Sequence, residues 1–263
     1  MVPASQNSIV KRNWILIRGL ARGAGHWANF PEKLEQAFPG DKVYCVDIPG
    51  NGYLNSVPTP LKVSEFIVSF EEQLKQLNFD SSLPTYGYSL SLGSMAMVEW
   101  AKQRPNFFKK IYISNTSAAN FSNVFKRLSV DAMKLGVRMR FIHSPEEREI
   151  ASLETTTTLN KDQIFKDYRK SFDSMLSFSR THSAHPKNVL RQLIAASTYA
   201  FPKNPPTEVV LMSGGKDKFV SAQCSKDIEK KWHCPHIIHP EAGHDISFQF
   251  PDWVVEHITE TTT

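Results

Sequence analysis

Cysteine is scarce in this chain. Three residues, Cys45, Cys224 and Cys234, stand in 263, with no CxxC pair and no even set. A disulfide framework is therefore not indicated, and Cys45, inside an apolar run, reads as a buried thiol. No window approaches the length of a membrane-spanning helix, so no membrane span is expected. The first dozen residues lack the apolar core of a secretion signal, and together with the cysteine usage this leads to the expectation of a soluble, cytoplasmic protein. Charge of one sign is also in short supply. The net charge is +5, but the basic residues are scattered and the runs Lys109-Lys110 and Lys230-Lys231 are short. A solvated basic surface explains them better than nucleic-acid binding, which is not expected. No long polar tract and no internal repeat is present, which excludes disorder as a whole-chain answer and repeat architectures.

What is present suits one substantial core, with 41% apolar residues in 263. Short apolar runs at 14–17, 43–46, 85–90, 111–114, 209–212 and 236–238 have the character of strands buried on both faces of a parallel sheet. Between them lie helical spacings: Phe66, Ile67, Phe70, Leu74 and Leu77 share one face of 63–77, and 95–103 is a second helix. Strand–helix alternation of this kind predicts an α/β fold with right-handed crossovers. The rhythm breaks over 116–205, where helical patterns continue, as at 188–199, but no buried strand is evident. The economical organisation is a core of 1–115 and 206–263 interrupted by a helical cap or lid over 116–205; an unrelated small domain is the alternative.

The chemistry-bearing residues follow strands. Tyr86-Gly87-Tyr88-Ser89-Leu90-Ser91-Leu92-Gly93-Ser94-Met95 joins a strand run to a helix. A serine on such a turn needs small neighbours two before and two after, because the backbone there is tight and strained. Ser91 has Ser89, Gly93 and Ser94 around it; Ser89 has Gly87 and Ser91, but bulky Leu92 three residues on. The steric test favours Ser91, with Ser89 as the competing register. Farther on, Ser213-Gly214-Gly215-Lys216-Asp217 ends another strand run, and Ala242-Gly243-His244-Asp245 follows the last. An aspartate in that setting either orients an imidazole or caps the next helix. His233, His236, His239 and Cys234 do not match a zinc spacing, and alternation along a strand accounts for them, so no metal is expected.

Ser91-Leu92-Gly93-Ser94-Met95 with Glu99-Trp100-Ala101 and Pro105 resembles the nucleophile elbow and following helix of the α/β-hydrolase superfamily. Gly214 to Val220 resembles its Gly-x-x-Asp-x-x-Val segment, Gly243-His244 its histidine loop, Arg18-Gly19-Leu20 its His-Gly loop, and Asp47-Ile48-Pro49-Gly50-Asn51-Gly52 its Asp-x-Pro-Gly-x-Gly turn. Two departures stand out: Ser89 replaces the first glycine of Gly-x-Ser-x-Gly, and Arg18 replaces the usual histidine. The order Ser, Asp, His is the order of this superfamily. The resemblance implies an α/β-hydrolase fold with a mostly parallel sheet of about six strands, without the two extra N-terminal strands common in the family. It implies a triad of Ser91, Asp217 and His244, oxyanion donors at the backbone N–H groups of Leu20 and Leu92, and no cofactor. The expected activity is hydrolysis of a small-molecule carboxylic ester or thioester through an acyl-enzyme. Small carboxylesterases of this fold add a carrier-bound acyl ester as a further substrate class, for which a basic surface suits an acidic carrier. C–C bond hydrolysis, acyl transfer and a ligand-receptor role on the same scaffold stay open at this level.

Overall fold

The computed structural model describes residues 11–262, apart from the side chains of Val124 and Phe125. Six strands, β1 (Asn13–Ile17), β2 (Lys42–Val46), β3 (Thr85–Leu90), β4 (Phe108–Ser114), β5 (Glu208–Gly214) and β6 (His236–His239), form one sheet in the order β2-β1-β3-β4-β5-β6. Every neighbouring pair is parallel. The six apolar runs of the sequence account for all six strands, with ends moved by at most three residues.

Side-chain alternation along β1 shows why the sheet is covered twice. Ile15 and Ile17 enter one apolar cluster and Trp14 and Leu16 the other, and all four are fully buried. A strand whose successive residues point to opposite faces needs helices on both. Helices α2 (Ile67–Gln76), α3 (Leu92–Gln103) and α10 (Ala222–Trp232) contribute Phe70, Trp100 and Ile228 to the first cluster. Helices α1 (Phe30–Ala37) and α12 (Pro251–Thr262) contribute Phe30, Leu34, Val254 and Ile258 to the second. The expected 63–77 helix is divided, with a 3₁₀ turn at Val63–Glu65 before α2.

Between β4 and β5 stand six helices: α4 (Val124–Arg127), α5 (Val130–Arg138), α6 (Pro145–Thr156), α7 (Lys161–Asp167), α8 (Arg169–His182) and α9 (Pro186–Thr198). Helix α6 opens on Ser144 accepting from the Glu147 amide with Pro145 in the first turn, and it ends within the threonine run 155–158, where Thr157 is extended. Ile150, Leu153, Ile164, Phe172 and Met175 form a small core of their own, joined by Phe248 from the helix α11 (Ile246–Gln249). The last insertion helix differs: its Ala195 is built into the main sheet cluster, as is Tyr199 just beyond it. No helix of the described residues is long and apolar enough to cross a membrane.

Candidate active site

The strand order reverses between β1 and β3, and the carboxyl ends of these strands frame the crevice where open α/β sheets bind ligands. Ser91 sits there, as the N-cap between β3 and α3, at φ 58° and ψ −118°. A serine in this region is strained and persists only where its surroundings hold it. Three bonds do so. Its N–H donates to the Ser114 carbonyl (2.8 Å), and its own carbonyl accepts from the Ser94 amide (3.0 Å) and from Thr116 Oγ1 (2.9 Å). The small neighbours are needed for backbone approach: a Cβ on Gly93 would lie 2.3 Å from the Ile17 carbonyl oxygen and 2.5 Å from that of Arg18.

Ser89 is placed differently. It lies within β3, paired with Ile17 on one side and Ile113 on the other, fully buried, its Oγ directed at Ser94 Oγ (3.2 Å) and the Tyr112 carbonyl (3.4 Å).

Asp217 and His244 meet directly. His244 Nδ1 lies 2.7 Å from Asp217 Oδ2, and both side chains are buried. The other carboxylate oxygen accepts from the Phe219 (2.7 Å) and Val220 (2.9 Å) amides, so the carboxylate cannot swing away. With Nδ1 donating to the carboxylate, Nε2 is the imidazole nitrogen left for chemistry. Ser91 joins this pair through β4's terminus rather than by a direct hydrogen bond. Ser114 takes the Ser91 amide, and the next residue, Asn115, donates from Nδ2 to the His244 carbonyl (2.6 Å) while its Oδ1 accepts the Gly214 amide (2.9 Å). One strand end therefore staples the serine, aspartate and histidine loops together.

Leu92 is the first residue of α3, where an N–H has no partner within the helix. Leu20 lies in the loop after β1. Neither amide donates to another group among the described residues. Gly19, just before Leu20, comes close to the serine: a Cβ there would lie 3.1 Å from Ser91 Cβ and 3.7 Å from its Oγ.

Several residues around this site have partners that carried no sequence signal. Arg18, which stands where the resembled family usually has histidine, is buried and pairs with Asp245 through both guanidinium nitrogens (2.9 and 2.5 Å), with Ser247 at 3.3 Å and the Trp27 ring beneath it at 4.8 Å. Burial opposes ionisation of Asp245, but Arg18 outweighs it and holds the carboxyl below its ordinary range. Arg22 pairs with Glu149 of α6 (2.8 and 2.5 Å). Glu149 also accepts from Ser179 Oγ of α8 (3.0 Å), which contacts His26 Nε2 (2.9 Å). Burial works against the Glu149 charge, yet Arg22 holds it down to about 2. Burial first, then Arg22, push His26 down to about 3, so its ring is neutral. The Arg18–Asp245, Arg22–Glu149 and His26–Ser179 partners are each more than a hundred residues apart, and only the fold could reveal these pairs. Of the four metal-type residues noted above, His236 is bonded to Glu229 (2.7 Å) and Ser213 (2.8 Å), and His239 stacks on Phe250. No cluster of three or more metal-ligand side chains occurs among the described residues.

Comparisons with known proteins agree with this architecture. The family model of the alpha/beta hydrolase family matches residues 15–257. No curated protein matches the chain in sequence. Among solved structures, a thermophilic esterase from Thermogutta terrifontis is similar with a TM-score of 0.68 at 14% identity, covering 95% of this chain and 88% of that one. The 2-hydroxy-6-oxo-6-phenylhexa-2,4-dienoate hydrolase from Rhodococcus sp. strain RHA1 has a TM-score of 0.70 at 13% identity, covering 95% and 90%. E-2-(acetamidomethylene)succinate hydrolase has 0.72 at 13% identity, covering 96% and 91%. At such identities the structures share the fold alone, whereas the family match spans nearly the entire sheet and the strand ends just described. The chain belongs to the alpha/beta hydrolase family.

Proposed function

We propose that this protein is a serine hydrolase that cleaves a carboxylic ester or thioester through an acyl-enzyme on Ser91. The observation that carries this reading is the buried 2.7 Å contact between His244 Nδ1 and Asp217 beside a serine in a strained strand-to-helix turn. His244 Nε2 takes the Ser91 Oγ proton as that oxygen attacks the carbonyl carbon, and Asp217 stabilises the imidazolium. The carbonyl oxygen becomes an oxyanion facing the Leu20 and Leu92 amides; each such donor contributes about 100- to 1,000-fold in rate. The proton then passes from His244 to the leaving alkoxide or thiolate, and a water activated by the same imidazole releases the acid. No cofactor enters these steps.

The helices between β4 and β5 serve as the lid in this reading, with α6, α8 and α9 bonded to the loop that carries Leu20. The substrate class is a small-molecule ester, with a carrier-bound acyl ester as the variant that the net positive charge favours.

The test is hydrolysis of p-nitrophenyl acetate and butyrate by wild type, Ser91→Ala and Ser89→Ala, with a fluorophosphonate label mapped by mass spectrometry. Turnover and label lost in Ser91→Ala and kept in Ser89→Ala is the expected result. A label on Ser89 refutes the register, and an inert, unlabelled wild type refutes the hydrolase reading in favour of a ligand receptor.

A further inference from the structure

The Leu20 amide belongs to the same peptide unit as the Gly19 carbonyl. In a planar trans peptide the N–H and C=O point in opposite directions, so whatever grips the oxygen aims the hydrogen. Here the grip comes from a side chain. Asn51 Nδ2 donates to the Gly19 carbonyl (3.2 Å) and to the Arg22 carbonyl (3.0 Å) from a fully buried position. The Arg22 amide also reaches the Gly19 oxygen (3.3 Å).

Asn51 is itself held from the insertion. Gln192 on α9, also fully buried, donates from Nε2 to Asn51 Oδ1 (2.7 Å) and to Thr59 Oγ1 (3.4 Å), while its Oε1 accepts from the Ala21 amide (3.0 Å). These contacts settle both amide orientations. Flipping Gln192 would set its NH₂ against the Ala21 N–H, and flipping Asn51 would set its oxygen against two carbonyls. The donors therefore run one way, from Gln192 to Asn51 to Gly19, and end on the 19–20 peptide, next to the Gly19 position at which a Cβ would meet Ser91.

We propose that Asn51 and, behind it, Gln192 are positioning residues for the oxyanion amide: they set the tilt of the 19–20 peptide so that the Leu20 N–H faces the carbonyl oxygen of an ester attacked by Ser91. This rests on the serine-hydrolase reading above. It deepens that reading by making the oxyanion site dependent on the seating of α9. Hydrogen bonding to the carbonyl also polarises the peptide and strengthens its N–H as a donor.

Two near-isosteric variants test it. Asn51→Asp keeps the shape and the acceptor for Gln192 but presents a carboxylate to the Gly19 oxygen. Gln192→Glu keeps the acceptor for the Ala21 amide and removes the donor to Asn51. The readouts are kcat and KM on p-nitrophenyl acetate, inhibition by an alkyl trifluoromethyl ketone, whose adduct carries the oxyanion, and the melting temperature. The expected result is a fall of roughly 10- to 100-fold in kcat, as for a misaimed catalytic group. KM should move little, and ketone affinity should fall in parallel with kcat. If Asn51→Asp does not fold, Gln192→Glu carries the decision. A folded variant with wild-type kcat and ketone affinity overturns the proposal, and so does a fall in kcat without a fall in ketone affinity, which marks a merely structural role. A wild type that neither turns over nor takes the fluorophosphonate label instead refutes the parent reading, and this inference with it.

Discussion

At the residue scale, the aspartate–histidine pair is constrained more tightly than its sequence context suggests. Asp217 spends one oxygen on the Phe219 and Val220 amides and the other on His244. This makes Asp217→Asn informative. The asparagine oxygen must stay on the two amides, so its NH₂ faces His244 Nδ1 and forces the proton onto Nε2, the nitrogen that in the proposed mechanism accepts one from Ser91. Turnover of p-nitrophenyl acetate is expected to fall about 10,000-fold with the melting temperature nearly unchanged. A variant that retains most of its kcat would show that the imidazole draws its orientation from elsewhere. Asp217 was legible because it ends a strand run with a glycine turn. Asn115 was not, since nothing in Asn115-Thr116-Ser117 distinguishes a staple of three loops from an ordinary turn.

At the scale of elements, the elbow depends on how closely α3 approaches β1. The Gly93 position meets the carbonyls of Ile17 and Arg18 directly, and backbone atoms cannot turn aside as a flexible side chain can. Gly93→Ala is therefore expected to lower stability by about 1–3 kcal/mol or more, as overpacking does, and to depress turnover by shifting Ser91. Urea unfolding with parallel esterase assays would check both effects. Unchanged stability would mean that α3 is free to retreat from β1. Ser89 and Ser91 also differ at this scale in geometric terms. Residue 89 is hydrogen-bonded strand on both sides, whereas residue 91 is the first beyond it with positive φ. The steric argument from small neighbours after residue 91 describes the close approach that Gly93 makes to the Ile17 and Arg18 carbonyls.

At the scale of the whole molecule, a buried polar chain ties the insertion to the sheet: Arg22 and His26 from the loop after β1 meet Glu149 of α6 and Ser179 of α8. Its pH dependence follows from linkage. The unfolded chain takes up a proton at His26 near the ordinary 6.5 while the fold resists until about 3, so stability falls as pH drops through that interval. Glu149 acts in the same direction between 4.5 and about 2, its contribution being present above 4.5 and lost below. Asp47 opposes them: burial raises it to about 6, so in acid it favours the fold. The difference between wild type and His26→Gln isolates the first effect. The stability of wild type relative to the variant should shrink as pH falls from 6.5 towards 4.5, measured by melting temperature at several pH values. A difference independent of pH would show that His26 is charged or solvated in the fold.

The sequence by itself determined the sheet, its six strands and the strand ends that bear serine, aspartate and histidine. Two-sided burial demands continuous apolar runs, and a tight turn after a strand demands small residues, and both are local properties. The wiring between those ends was decided only by the tertiary structure. Arg18 with Asp245, Arg22 with Glu149, Asn115 with His244, and Gln192 with Asn51 are polar pairs separated by more than a hundred residues. Buried polar groups take whatever complementary partner the fold brings within hydrogen-bonding distance, and spacing along the chain leaves no trace of which partner that is. The same reason explains why the sequence shows 116–205 only as a helical cap or lid insertion, while its last helix also helps complete the main core and grips the loop after β1.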